Sequence, residues 1–472
     1  MKKYFLLFAA FFTLLSCDRK NVYISGKLTN ATPLSRISLI NVADISTLPI
    51  ASLQVNKDGS FSDTVQIEKN GIYALVYNGN FNFVYLKRGQ NIHINGDAMV
   101  FPSEMNLTGD GAGNNLFLFA VRNFNQSYLS KLDRNLISQN PDTFLENIKK
   151  IKSDLDDEIK KEQKKYEPDV SVSVWQTNSN NLILMSFIQQ YLNKEKMEHQ
   201  NDPNFKLPKK LNEYKNSLVR SQKYMVANFP NYRSFLLDEY GQDIKKYMEE
   251  HSKEETSVTE KLAGYLNTKK DWTQETKDYL LAFVFSKYDM RPENPRIDTI
   301  LNQLNKNINT PKVKEGIRQL GKVVLGPKTG EDAPIYSLKK ENGKEMSVRD
   351  LKGKPTFVMF YSSFNPYIVN GAIPTVKMIV DKYKGKANFL FLNLDDTFAQ
   401  FRKSAGEIFK GIPAINAYCP KGINSKMAKD YGLYDFKLPC FLVIDKDGKI
   451  MTKTVMNPEE PSFVKAIDTV IK

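Results

Sequence analysis

Phe357-Val358-Met359-Phe360-Tyr361-Ser362-Ser363-Phe364-Asn365-Pro366-Tyr367-Ile368 is the stretch on which the fold of this chain turns. Its first five residues form a compact apolar run of strand length. Phe389-Leu390-Phe391-Leu392 and Phe441-Leu442-Val443-Ile444 repeat that pattern. Between them lie helical patterns, from Ile373 to Tyr383, from Ala399 to Phe409 and from Ser425 to Tyr431. Strands that alternate with helices indicate an α/β sheet with crossover connections, here over residues 326–472.

The pieces around these strands resemble the thioredoxin-like TlpA/ResA family of envelope thiol–disulfide proteins. Glu331-Asp332-Ala333-Pro334 is similar to the family's entry segment. Glu341-Asn342-Gly343-Lys344 and Val348-Arg349-Asp350-Leu351-Lys352-Gly353-Lys354 resemble its hairpin and the approach to the first core strand. Leu438-Pro439, followed by Phe441 to Lys449, resembles the cis-proline loop and the strand and hairpin after it. The resemblance implies a thioredoxin-like domain.

The family carries Trp-Cys-x-x-Cys at the turn after the first core strand, where a stabilised thiolate attacks a partner disulfide. Against that motif, Asn365 and Ile368 stand where the two cysteines would be, with Pro366 and Tyr367 between them. Neither residue forms a thiolate, so dithiol exchange at this turn is chemically impossible. Pro374 falls one residue further along than the family's usual position. The resemblance still implies a binding geometry. Pro439 is the candidate cis-proline, with a trans proline at a strand start as the other reading. Leu438 would offer backbone groups to an extended peptide in the manner of strand addition. Phe364, Pro366 and Tyr367 would give the same face an apolar, aromatic character suited to a partner.

Two thiols keep a redox reading open. Cys440 follows Pro439, and a lone thiol there would be placed to form a mixed disulfide; the other reading is a small core residue. Cys419, in Ala417-Tyr418-Cys419-Pro420, lies at a strand end. Whether the two form a disulfide depends on a Cα separation that spacing does not supply. Asp395-Asp396 follows a strand, where acids are common on loops. His93, His199 and His251 are scattered, no phosphate loop or dinucleotide fingerprint occurs, and Asp445-Lys446-Asp447-Gly448 lacks the spaced ligands of a calcium loop. No metal site and no cofactor is expected.

Upstream the pattern changes twice. Over residues 116–325 apolar residues recur at helical spacing, as in Phe144, Ile148, Ile151 and Leu155, with Pro230, Pro292 and Pro295 as breakers. Residues 18–115 alternate instead, as in Val22-Tyr23-Ile24-Ser25-Gly26-Lys27-Leu28. Turns recur there, and Asp58-Gly59 between two alternating runs reads as a hairpin. Short strands so punctuated predict a β-sandwich. The expected class is therefore multidomain α+β: β-sandwich, helical middle region and C-terminal thioredoxin-like α/β domain.

At the start, Met1-Lys2-Lys3, an apolar run from Tyr4 to Leu15 and Ser16-Cys17 have the form of a secretory signal. Leu14-Leu15-Ser16-Cys17 fits a lipobox, which makes residues 1–17 a lipoprotein signal peptide and Cys17 the lipidated residue; an ordinary signal peptide is the alternative. The net charge of +14 drops to +12 when Lys2 and Lys3 leave. The lysines are interleaved with acids, as in Lys160-Lys161-Glu162, which suits solvated helix faces and argues against nucleic acid. The expectation is a cell-envelope lipoprotein facing the periplasm, membrane-attached through Cys17, that binds an envelope protein or peptide. The rival is a thiol–disulfide oxidoreductase acting through Cys440, alone or with Cys419. A third reading makes the helical middle the working part.

Overall fold

The computed structural model describes residues 21–32, 35–202, 204–251, 256–290, 294, 296–365 and 367–471. The expected signal segment with Cys17, and Pro292, Pro295 and Pro366, lie outside the described residues. Two compact units are present. One runs to Thr256 and includes Glu260–Phe283; the other comprises Ser257–Thr259 and the chain from Val284 onward.

The first unit begins with two four-stranded sheets. One has the order β4-β1-β7-β8 and the other β3-β2-β5-β6. The strands are β1 (Asn21–Thr29), β2 (Arg36–Asn41), β3 (Pro49–Gln54), β4 (Ser60–Gln66), β5 (Gly71–Tyr77), β6 (Asn80–Leu86), β7 (Asn91–Asp97) and β8 (Met105–Gly109). Alternation dictates their faces. Val22, Ile24 and Leu28 of β1 join Leu39, Leu53, Leu75, Val84 and Ile94 in one buried cluster, while Tyr23 and Lys27 point outward. Gly26 sits where β1 and β7 run close: a Cβ there would lie 1.7 Å from the Ile94 carbonyl oxygen.

The Asp58-Gly59 turn differs from its expected hairpin. The turn closes through Asn56 N–H to Ser60 O (2.8 Å), and Gly59 takes φ 83°. The strands it joins pair elsewhere, β3 with β2 and β4 with β1. Leu28 N–H donates to Gly59 O at 2.9 Å, so the turn is tied to β1 and passes the chain between the sheets.

Helices follow: α1 (Ala112–Leu129), α2 (Pro141–Tyr166), α3 (Val170–Glu198), α4 (Lys209–Ser217), α5 (Gln222–Asn228), α6 (Pro230–Glu239), α7 (Gly241–Glu250), α8 (Val258–Thr268) and α9 (Gln274–Val284). Asn115 of α1 holds the Tyr85 backbone at both ends, accepting its N–H at 2.7 Å and donating to its carbonyl at 3.1 Å. α2 starts at Asn140, whose side chain accepts Thr143 N–H at 3.0 Å, with Pro141 at the first turn. Its Phe144, Ile148, Ile151, Leu155 and Ile159 form one buried face.

In the second unit, α10 (Ile297–Asn307) and α11 (Pro311–Leu325) precede a six-stranded sheet of order β10-β9-β13-β12-β11-β14. Its strands are β9 (Leu338–Lys340), β10 (Glu345–Met346), β11 (Thr356–Tyr361), β12 (Asn388–Asn393), β13 (Ile415–Tyr418) and β14 (Cys440–Ile444). β11, β12 and β13 are parallel; β14 runs antiparallel to β11 and β9 to β13. Parallel neighbours require crossovers, supplied by α12 (Ile373–Tyr383) and α13 (Phe398–Ile408). α14 (Lys426–Asp430) and α15 (Pro461–Ile471) complete the unit.

Every residue of β11 is buried, and period two divides them between two cores. Val358 and Phe360 face a cluster with Leu392, Tyr431 and Leu442. Phe357, Met359 and Tyr361 face one with Val376, Phe391 and Phe463. α11 is fastened to this unit. Lys437 Nζ donates to the Val323 carbonyl at 2.5 Å and to Thr454 Oγ1 at 2.6 Å, and Lys322 Nζ lies 3.4 Å from Asp430.

Candidate functional site

The end of β11 leads into a turn held from below by one carboxylate. Asp395, 1% exposed, follows β12, the parallel neighbour of β11. Its Oδ1 accepts Ser362 Oγ–H and Ser363 N–H, each at 2.7 Å. Its Oδ2 accepts Asn393 Nδ2–H at 3.0 Å and Ser404 Oγ–H at 3.4 Å. Four donors on one buried carboxylate compensate its desolvation and fix the path of the chain at Ser362 and Ser363. The Tyr361 hydroxyl is buried beside this group; burial and then the Asp395 charge push its ionisation far up.

Asn365 closes the turn from above. Its N–H donates to Ser362 O at 3.1 Å, and its Oδ1 accepts Tyr367 N–H at 2.9 Å. Its Nδ2 crosses to the loop before β14 and donates to the Leu438 carbonyl at 2.5 Å. The Leu438–Pro439 peptide is cis. Leu438 N–H donates to Asp435 O at 3.3 Å, and its side chain is 3% exposed. Both backbone groups that Leu438 was expected to offer are therefore engaged within the chain. A peptide that pairs with its carbonyl shares that acceptor with Asn365.

Around this contact the surface is aromatic. Tyr367 is 57% exposed and Phe436 is 61% exposed. Tyr434 stacks on Phe436 with centroids 5.6 Å apart, and Phe364 is half-buried beside Asn365. Ile368 is fully buried and joins the core with Ala372 and Val376. Residues Ile368–Ala372 form a π-helical turn that runs into α12, with Ile373 N–H donating to Ile368 O.

Cys440 lies opposite Phe360 in the β11–β14 ladder and has no exposed surface. Burial pushes its thiol up to about 12, against a lowering pull from Lys437. Cys419 is 2% exposed, and burial pushes it up to about 11, opposed by a hydrogen bond from Ser425. Both are free thiols in the core cluster that includes Leu438. Such environments suppress the nucleophilic thiolate. The ammonium of Lys437 is held below its ordinary value by burial. Asp395, Asn365 and Lys437 are the polar residues that shape this site. Asn365 stands out in the sequence through the resemblance and Asp395 as an acid after a core strand, whereas Lys437 carries no such signal.

A parallel three-stranded centre, an antiparallel β14 entered through a cis-proline and helices on both faces define this unit as a thioredoxin-like domain. Residues 329–453 match the AhpC/TSA family. The C-terminal domain is thus of the AhpC/TSA, thioredoxin-like kind, with thiol–disulfide oxidoreductases among its relatives.

The chain is 27% identical to the thiol-disulfide oxidoreductase ResA of Bacillus thuringiensis over 128 residues, covering 27% of this chain and 69% of that protein. It is 28% identical to ResA of Bacillus cereus over 129 residues, with the same coverage of both chains. Among solved structures it is similar to a thiol-disulfide oxidoreductase from Bacteroides fragilis, with 20% identity, a TM-score of 0.26, and coverage of 29% of this chain and 99% of that one.

Proposed function

We propose that this chain is an envelope lipoprotein whose C-terminal domain binds a protein or peptide partner without thiol–disulfide exchange. The observation that carries this reading is the Asn365 side chain bridging the turn to the Leu438 carbonyl. On this reading Asn365 and Ile368 occupy the positions of a lost cysteine pair. The two remaining thiols are buried, which argues against exchange through Cys440 alone or with Cys419. The partner packs on the exposed rings of Tyr367 and Phe436, beside Phe364 and Pro439; the Leu438 carbonyl already accepts from Asn365. Aromatic side chains of this kind supply large contact area at low entropy cost.

The two N-terminal sheets, sharing one core, are read as a β-sandwich that stands between the Cys17 anchor and the helical region. The anchor places the chain on the envelope membrane, facing the periplasm. Among the described residues no helix is long and apolar enough to cross a membrane.

Photo-crosslinking in intact cells tests the binding face. A diazirine amino acid at Tyr367 is expected to give a discrete adduct that the same probe at Met378, 59% exposed on α12, does not give. Equal adduct patterns at the two positions would sink the assignment of this face.

A further inference from the structure

The sheet of the second unit is polarised in charge along its strands. Lys352-Gly353-Lys354 leads into β11, and Lys384-Gly385-Lys386 leads into the parallel strand β12. The register that pairs Thr356 with Asn388 brings the two Lys-Gly-Lys segments side by side. Lys354 Nζ donates to the Gly385 carbonyl at 3.1 Å, and Asn388 Nδ2 donates to the Leu351 carbonyl at 2.9 Å. On the other side Gly353 N–H donates to the Lys446 carbonyl at 2.8 Å, which adds the turn after β14 to the same end.

Over residues 349–354, 384–386 and 445–447, six cations stand against three acids. Lys352, Lys354, Lys384, Lys386 and Lys446 are all exposed, and none forms an ion pair among the described residues. Two of the acids are occupied within their own turns. Asp350 accepts Ser347 N–H at 2.8 Å, and Asp445 accepts Asp447 and Lys449 N–H at 2.9 and 2.8 Å. A Cβ at Gly353 or Gly385 would meet nothing within 4 Å, so the space between the lysines is open. Neighbouring strands lie about 4.8 Å apart, so three strand ends hold these ammonium groups within one or two Debye lengths, each about 8 Å at physiological salt. A negative surface relieves their mutual repulsion. The exit ends of β11 and β12, about 20 Å away, carry the opposite balance: residues 362–368 have no charge, and Asp395-Asp396 follow β12.

Given the proposed Cys17 anchor, on which this rests, we infer that the lysine end of the second unit docks on the anionic phospholipid headgroups of the membrane that holds the chain. Docking in this way turns the Tyr367 face away from the bilayer. Each lysine near such a surface adds attraction that falls off within a Debye length. Nucleic acid fits less well. Five of the six cations are lysines, hydrated point charges without the planar fork of arginine. None of the exposed aromatic residues falls in these segments to stack on a base.

Lysine acetylation by an N-hydroxysuccinimide ester, read by peptide mass spectrometry, tests this on the full-length chain transferred from neutral detergent to preformed vesicles. Phosphatidylcholine vesicles are compared with vesicles holding about 30 mol% phosphatidylglycerol. On the anionic vesicles Lys352, Lys384, Lys386 and Lys446 should react at least about threefold more slowly, with recovery in about 0.5 M NaCl. Lys421, exposed beyond the exit end of β13, should react equally on both. In a Lys352→Gln/Lys384→Gln/Lys386→Gln protein the protection of Lys446 should fall away. Equal slowing at Lys421, no difference between the vesicles, or protection by heparin without protection by vesicles would overturn the inference. Co-flotation with the phosphatidylcholine vesicles reads the anchor separately. Flotation without protection keeps the anchor and removes the docking; protection on anionic vesicles without flotation on neutral ones does the reverse.

Discussion

Alkylation of the two buried thiols distinguishes a redox role from a structural one. Burial raises Cys440 from 9.0 to about 12, so at neutral pH its thiolate population falls roughly a thousandfold below that of an ordinary cysteine. For Cys419, raised from 9.0 to about 11, the reduction is roughly a hundredfold. Exclusion of the reagent adds to both effects, since Cys440 is 0% and Cys419 2% exposed. The assay is iodoacetamide labelling near neutral pH, followed by peptide mass spectrometry, in native buffer and in guanidinium. Native labelling of Cys440 should be slower than denatured labelling by roughly three orders of magnitude or more, and that of Cys419 by at least two. Raising the pH by one unit, still below both thiols, should speed each about tenfold. Native Cys440 labelling within about tenfold of the denatured rate would refute the reasoning and return Cys440 as a nucleophile.

Asn365→Ala removes the donor to the Leu438 carbonyl and should cost about 1–2 kcal/mol, read as a lower urea midpoint for the second unit. An unchanged midpoint would mean the bridge contributes nothing. Lys437 titrates below its ordinary 10.5 in the folded chain, so between that depressed value and 10.5 the unfolded state holds more protons and stability rises with pH. The pH–stability curve of the parent minus that of Lys437→Met should therefore climb towards 10.5; a flat difference would count against the burial argument. Cys17→Ser should abolish incorporation of labelled palmitate and release the protein from the membrane fraction. Persistent membrane attachment would rule out the proposed anchor.

The strands of the second unit are legible because they combine short length with continuous apolarity, and α12 matches its expected span from Ile373 to Tyr383. The turn at Asp58-Gly59 is legible as a turn but not as a crossing. Its flanking runs alternate equally well in one ladder or in two sheets, and it is their pairing with β2 and β1, with the Leu28–Gly59 hydrogen bond beside it, that decides between them. The helical period at residues 297–325 says nothing of which core those helices join. That depends on Lys437 reaching Val323 across 114 positions. Asn365 is a similar case. Its side chain meets a carbonyl 73 positions away, a contact no local pattern encodes. Asp395 looks like a loop acid because solvent is the default for strand-end carboxylates; four converging donors make burial tolerable here.

These contacts bear on whether the site retains a latent redox turn, given the proposed loss of the cysteine pair. A thiol turn must let one sulfur reach a partner while the second waits nearby. Here the first position is tied to Leu438 by an amide, and the second is an isoleucine with no exposed surface packed beside Ala372 and Val376. Full burial of such a side chain stabilises the fold by roughly 1.5–3 kcal/mol, and a smaller thiol would forfeit part of that and leave a void. Below them, Asp395 holds Ser362 and Ser363 whether or not sulfur is present. The packing and hydrogen bonds of the turn therefore depend on the residues present. Placing cysteines at both positions would remove the bridge and part of the core together, so on the proposed reading the contacts that would support a binding face also oppose exchange chemistry.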